Sequence, residues 1–266
     1  MPVNFTGKGT PIEQPDLQDA AKGLGGDIAS LWSLVTVETK GFGYLSDRRP
    51  QILFERHIFH RRTDGKFDQY PNISNATPGG YSDGPTADAR GIAEYTRLAE
   101  AMKLDEKSAL ESASWGLGQI MGFNAGTCGF TDVYDMVNLM VLGEGAQLRA
   151  IAGFITANKS LLAAFTAQNW AGVALNYNGK DYAKNQYDVK LQQSYERFRT
   201  AANQPALDLR TAQACLMYLK YDVGGVDGVS GPRTKAAMIA YRAAKGIAAE
   251  VSDADVMARL RVDAGI

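Results

Sequence analysis

One glutamate in this chain stands where acid chemistry is possible. From Asp27 to Gly43 the sequence reads DIASLWSLVTVETKGFG, and Ile28, Leu31, Val35 and Glu38 follow at steps of three, four and three residues. That spacing puts Glu38 on the apolar stripe of a predicted helix. A carboxyl withdrawn from water favours its neutral form, so its pKa rises and it can donate a proton near neutral pH. Gly41 and Gly43 are expected to end the helix and leave space beside the acid. The same spacing also fits a glutamate in a frayed last turn that faces solvent.

A second carboxylate is not singled out. Asp47, Glu55, Asp64 and Asp68 all follow Glu38, and Glu55 is assigned an orienting or water-positioning role beside Arg56, with which it could also form a structural ion pair. His57 and His60 are the only histidines, and they match no HExxH-type spacing. No metal and no cofactor is therefore expected; the histidines are read as hydrogen-bonding residues near a groove. Downstream, Ser114, Gly116 and Gln119 lie in SASWGLGQIMGFNAG, and Tyr177 and Asn178 lie in ALNYNGKDYAKNQYDVKL. Taken alone, these stretches also fit a helix–helix elbow around Trp115 and an Asn-Gly turn.

The elements that must position these residues are mostly helical. A short helix is predicted from Asp16 to Leu24 with Asp16 as N-cap, followed by the Gly23, Gly25, Gly26 cluster and the glutamate helix. A turn at Ser46 to Pro50 and an apolar run Ile52 to Phe54 predict a small hairpin-like β element. Residues 63–85 are rich in Gly, Pro, Asn, Asp and Ser, and a loop of that length inside a domain suggests a groove wall. Helices are then predicted around Ile92, Tyr95, Ala99 and Met102; over Glu106 to Ala113; around Val133, Met136, Val137 and Met140; around Leu148, Ile151, Phe154 and Ile155. Further helices are expected over Asn158 to Gln168, Trp170 to Leu175, and as one long helix from Asp181 to Arg199.

Three of these stretches, VETKGFGYLSDRRPQILFERHIFH, SASWGLGQIMGFNAG and ALNYNGKDYAKNQYDVKL, together resemble the N-acetylmuramidase domain of phage endolysins, a branch of the lysozyme-like superfamily. The resemblance implies a mainly α, lysozyme-like catalytic domain over residues 1–200 with a small β element. It also implies cleavage of the β-1,4 bond between N-acetylmuramic acid and N-acetylglucosamine in peptidoglycan. Carried onto this chain, Glu38 would be the catalytic acid. Glu55, Ser114, Gly116, Gln119, Tyr177 and Asn178 would line the glycan site, with Gln119 offering its amide to N-acetyl groups and the glycines letting sugar approach.

After a break at residues 201–206, taken as a linker, residues 207–266 predict three helices: Leu207 to Lys220, Pro232 to Lys245, and Ser252 to Arg261 with a cap at Ser252. The stretch LRTAQACLMYLKYDVGGVDGVSGPRTKAAMIAYRAAKGI resembles the three-helix peptidoglycan-binding domain, whose mark is here Asp227, Gly228, Gly231, Pro232 and Thr234. It departs from the common pattern at Tyr241-Arg242. As a tethered module it would raise the local concentration of wall polymer at the cleft.

Composition sets outer limits. The chain has 266 residues, 45% hydrophobic and 21% charged, with a formal net charge of -1. No basic stripe points to nucleic acid. The opening residues lack an apolar signal-peptide core and no apolar run spans a bilayer, so no stable membrane association is expected. The resemblance then implies a monomer held in the host cytoplasm until a holin opens the route to the wall. Cys128 and Cys215 are expected to be free thiols. A lytic transglycosylase, or a non-enzymatic wall-binding phage structural protein, remains an alternative at this stage.

Overall fold

The computed structural model describes residues 4–25, 27–39 and 41–266. Gly26 of the predicted glycine cluster lies outside them. Helix α1 (Gln14–Leu24) begins one turn earlier than the sequence suggests: Glu13 is the N-cap, and Asp16 sits in the first turn, where its carboxylate accepts the Glu13 N–H at 3.0 Å. Two carboxyl side chains compete for one cap, and the reciprocal arrangement uses both. Helix α2 (Ile28–Thr39) is started by Asp27, which accepts the Ser30 N–H at 2.7 Å. Every residue from Ala29 to Val35 is buried, so α2 is a central helix enclosed on all sides rather than one with a single apolar stripe.

Beyond α2 the chain turns at residues 46–48 and enters β1 (Ile52–Phe54), which matches the predicted strand. An unforeseen short helix, α3 (Arg56–Arg62), follows. Strand β1 pairs antiparallel with β2 (Ala113–Trp115), Leu53 opposite Ser114, and β2 pairs with β3 (Ile120–Met121), Trp115 opposite Ile120. The SWGLGQIM segment is thus a β-hairpin whose turn is Gly116 to Gln119, with Gly116 at φ 65° and Gln119 at φ 48°. Trp115 is fully buried and donates its indole N–H to Leu110 O at 3.0 Å, which fixes the hairpin to its neighbour helix.

Helices α4 (Ala87–Met102), α5 (Glu106–Glu111) and α6 (Val133–Met140) share one core with this sheet. The buried face of α4 runs through Glu94, Tyr95, Leu98 and Ala101, and Ile92 and Ala99, predicted to be on it, are exposed. Helices α7 (Glu144–Ala157), α8 (Lys159–Thr166), α9 (Trp170–Asn178) and α10 (Tyr187–Phe198) pack with α1 and α2 around a second core. The single helix expected from Asp181 to Arg199 is broken: residues Lys180–Asn185 form a 3-10 turn, and Gln186 takes φ 53° before α10 starts. A left-handed residue interrupts an α-helix whatever its side chain, and glutamine gives no sequence signal of it.

Residues 63–86 form turns and bends held by two buried or half-buried hubs. Arg56 donates to the carbonyls of Thr77 at 2.9 Å, Pro71 at 3.0 Å and Pro78 at 3.3 Å. Glu94, buried, accepts Ser82 N–H at 2.6 Å and Phe54 N–H at 3.1 Å, and is neutralised by Arg97 at 2.8 Å. A long irregular segment keeps its backbone satisfied only through such partners.

Helices α11 (Leu207–Tyr218), α12 (Pro232–Ala244) and α13 (Asp253–Ala264) form the three-helix module, and Ser252 caps α13 as expected by accepting Asp255 N–H at 3.2 Å. The module is not held on a slack tether. Its core includes Phe42 and Tyr44 of the N-terminal part; Tyr218 donates to Gly9 O at 2.8 Å and Lys220 to Ser46 O at 2.9 Å. The 201–206 segment is pinned too, with Ala206 N–H donating to Gly228 O at 3.2 Å. Cys128 and Cys215 are both buried free thiols in different cores.

Candidate active site

Glu38 lies one turn beyond the enclosed part of α2, three residues after Val35, so the helix carries it out of the core toward the β2–β3 turn. The next residue anchors it there: buried Thr39 donates its hydroxyl to Leu117 O at 3.0 Å, and also lies 3.3 Å from Val35 O. Glu38 itself is partly exposed. Its carboxyl is nonetheless surrounded by protein, and this desolvation pushes its pKa up to about 7; the Asn178 amide, donating to Oε1 at 3.1 Å, opposes the rise. Stabilising the ionised form lowers a carboxyl's pKa and desolvation raises it, and here desolvation wins. Glu38 is therefore substantially protonated at neutral pH and close enough to solvent to meet a ligand.

Asn178 ends α9, and its Oδ1 is buried with no partner. A buried carbonyl oxygen left free costs stability, and at a binding site it offers an acceptor to an incoming N–H or O–H group. Preceding it, Tyr177 donates to Gly118 O at 2.8 Å and packs edge-on against Phe154 with centroids 5.4 Å apart. Burial, and the neighbouring Glu38, hold its phenol well above the ordinary range, so it is a neutral donor. Tyr187, at the start of α10, also has its phenol raised by burial and by Glu38. It belongs to the surroundings of the acid.

The β2–β3 turn is braced from behind. Gln147, fully buried on α7, accepts Leu117 N–H at 2.7 Å and donates to Met140 O at 3.1 Å. A Cβ at Gly43 or Gly116 would collide with this amide side chain, so packing requires both glycines regardless of any ligand. Within the turn, Ser114 donates to Gln119 Oε1 at 2.9 Å, and the Gln119 amide donates to Gly116 O at 2.9 Å and Gln51 O at 3.3 Å. Both amide hydrogens of Gln119 are thus spent on the hairpin. The expectation that this amide donates to N-acetyl groups does not fit; the side chain holds the turn in shape beside Glu38.

Glu55 has partners of its own. It stands at the start of α3, where its carboxylate accepts Tyr81 O–H at 3.1 and 3.2 Å and faces His57 Nδ1 at 3.1 Å. The ion pair considered with Arg56 does not form, because Arg56 turns to the carbonyls of the 71–78 segment. Tyr81, about half exposed, is a residue that sequence reasoning missed; burial, with the Glu55 carboxylate adding to it, pushes its phenol up to about 12. The histidines diverge: His57 goes to Glu55, and His60 Nδ1 to Asp68 at 2.9 Å, where His60 and Ser74 hold the Asp68 carboxyl below its usual value. Among the described residues no group of three or more His, Cys, Asp or Glu side chains could hold a metal ion.

Residues 27–199 match the sequence profile of the family described as N-acetylmuramidase. The chain belongs to that family. Among solved structures the muramidase is similar to the crystal structure of the Burkholderia AP3 phage endolysin. The two share 42% identity, with a TM-score of 0.64, over 73% of this chain and 72% of that one. No curated protein matches it. The family match of this muramidase stops at the end of α10 and does not extend to the three-helix module.

In that module the motif residues serve the fold. Gln213, buried, accepts the N–H groups of Asp227 at 3.0 Å and Gly228 at 2.7 Å, and donates to Asp227 Oδ1 at 3.0 Å and Thr234 Oγ1 at 3.2 Å. Asp227 also accepts Val229 N–H at 2.9 Å, and Gly231 stands at the N-cap of α12. Asp227, Gly228 and Thr234 therefore converge on Gln213, a hub that no reading of the motif alone had identified. A cavity of about 540 Å³ opens between the helices and is lined by Leu209, Ala212, Thr234, Met238, Val256 and Met257 among others.

Replacing Asn178 by Ala removes the donor that favours ionised Glu38, so the Glu38 pKa rises further. The alkaline limb of the muramidase's pH–rate profile is expected to move to higher pH in Asn178→Ala, while maximal activity falls through the lost contact.

Proposed function

We propose that this chain is a phage endolysin that hydrolyses the β-1,4 bond between N-acetylmuramic acid and N-acetylglucosamine of bacterial peptidoglycan. The observation that carries the proposal is the Glu38 carboxyl, raised to about 7 by burial at the end of α2 and met there by Asn178. Family membership and the likeness to a phage endolysin support the same reading.

In this mechanism Glu38 gives its proton to the glycosidic oxygen as the bond to the anomeric carbon breaks. The leaving sugar departs as an alcohol, and the oxocarbenium-like centre is captured by water, which returns a proton to the site. The free Asn178 Oδ1 and the turn from Ser114 to Gln119 hold the glycan, and Tyr177 supplies a wall braced against Gly118. Glu55 with Tyr81 forms a second polar face that positions substrate or water. The three-helix module binds wall polymer, with the cavity beside Thr234 as its contact region. The protein acts as a monomer that waits in the host cytoplasm until a holin admits it to the wall.

A second reading is favoured by one observation: burial raises the Glu38 pKa, and no neighbouring carboxylate among the described residues contributes to the rise. A lone acid suits a lytic transglycosylase, in which the muramic acid's own hydroxyl replaces water. Mass spectrometry of muropeptides released from purified peptidoglycan separates the two. Reducing muramic ends are expected for the hydrolase; anhydro-muramic ends would replace it by the transglycosylase, and cleaved peptide bonds would discard both.

A further inference from the structure

The three-helix module reaches into the catalytic domain with one charged side chain. Arg210 on α11 is completely buried, and so is its partner Glu144 at the start of α7. The guanidinium is bonded to both Glu144 oxygens, at 2.7 Å to Oε1, and its Nε donates to Gly41 O at 3.1 Å while Nη2 contacts the same carbonyl. Its flat faces lie near Trp32 of α2 and Phe42, with ring centroids 5.6 and 5.2 Å away. Glu144 in turn accepts the N–H of Gly43 at 2.8 Å and of Ile12 at 2.9 Å.

Gly41 and Gly43 are the residues through which the chain leaves the Glu38 helix. Gly41 N–H also reaches back to Val35 O at 3.3 Å. The exit from α2 is therefore fixed at three points: Thr39 to Leu117, Gly41 to Arg210, and Gly43 to Glu144. Two of these depend on one ion pair, and half of that pair belongs to the three-helix module. A planar fork with five donors suits this geometry, because it serves two carboxylate oxygens and a carbonyl together.

We infer that Arg210 is a positioning residue for Glu38, and that the three-helix module is a structural part of the catalytic site as well as a wall-binding appendage. Loss of the Arg210 grip frees the α2 exit, lets water reach the Glu38 carboxyl, and displaces the acid from the bond it protonates. This inference rests on Glu38 being the catalytic acid.

The test uses the full chain with soluble, uncrosslinked glycan strands as substrate, so that retention on the wall does not enter the rate. Arg210→Met removes the grip. Arg210→Lys keeps a charge opposite Glu144 but lacks the fork, and thermal denaturation run alongside identifies the temperature at which each variant is folded. In the folded variants kcat is expected to fall about 10- to 100-fold, the scale associated with a small displacement of a catalytic group. KM and retention on insoluble peptidoglycan are expected to stay near parental values, and the alkaline limb of the pH profile to move to lower pH as Glu38 becomes hydrated. Folded Arg210→Lys with parental kcat and an unmoved limb would overturn the inference. Glu38→Gln is assayed in parallel: full activity there would instead overturn the assignment of the acid.

Discussion

Glu38→Gln is expected to leave only residual glycan cleavage without loss of fold. Positioned proton transfer contributes roughly 10²–10⁴-fold, and the amide has no proton to give to a glycosidic oxygen. The residual rate should show no alkaline limb near neutrality, because the group that produced it is gone. Stability should change in the opposite direction. Burial raises the Glu38 pKa from 4.5 to about 7 in the folded protein, so the folded state binds more protons than the unfolded chain between those two values. Stability present at low pH is then lost as pH rises through this window, by up to about 3 kcal/mol before discounting for the residue's partial exposure. Glu38→Gln does not suffer that loss. Its melting temperature should match the parent's under acidic conditions and exceed it above neutrality, which differential scanning calorimetry at the two pH extremes would measure; equal melting temperatures at both would mean that Glu38 is not desolvated.

Arg210→Met is expected to be the most damaging single substitution for stability among the residues described. It leaves the Glu144 carboxylate without a cation in a site closed to water, and breaking one partner out of a buried pair costs about 3–5 kcal/mol. With melting-temperature shifts of roughly 2–4 °C per kcal/mol at this chain length, a fall on the order of 10 °C follows. The pair spans the junction of the three-helix module and the muramidase domain, so both parts should unfold at the lowered temperature. An Arg210→Met protein that melts like the parent would mean that the buried pair contributes nothing to holding the two together.

Much of this architecture was legible from residue spacing. The strand Ile52–Phe54 follows from three apolar residues bounded by Pro50 and charge, and α6 from four apolar positions that are all buried. Helix phase made Glu38 a candidate without separating a withdrawn acid from a frayed one, and the resemblance carried the choice; because α2 is enclosed on every side, the stripe itself carries less information than it suggests. What the sequence withholds are partners distant along the chain. Nothing around Arg210 marks it as reaching Gly41 or Glu144, since a basic residue in an early turn of a helix usually faces solvent. Tyr81 sits in a polar loop with no periodicity, and only the Arg56 and Glu94 hubs bring it to Glu55. Asp227 and Thr234 read as a ligand motif because their types are right for one; their convergence on Gln213 is visible only after α11 and α12 have packed. Gln119 was misjudged for a related reason: an amide has donors to offer only when the backbone around it has not already taken them.

In the proposed mechanism a single desolvated acid at the end of α2, Glu38, drives cleavage in its protonated form. The pH dependence of kcat/KM on soluble glycan strands tests it most directly, because this ratio reports the ionisation of the free enzyme. Activity is expected to be high when Glu38 is protonated, to fall above about pH 7, and to have its alkaline limb moved upward in Asn178→Ala. Activity that rises through neutrality, or a limb that stays in place when Asn178 is removed, would contradict it.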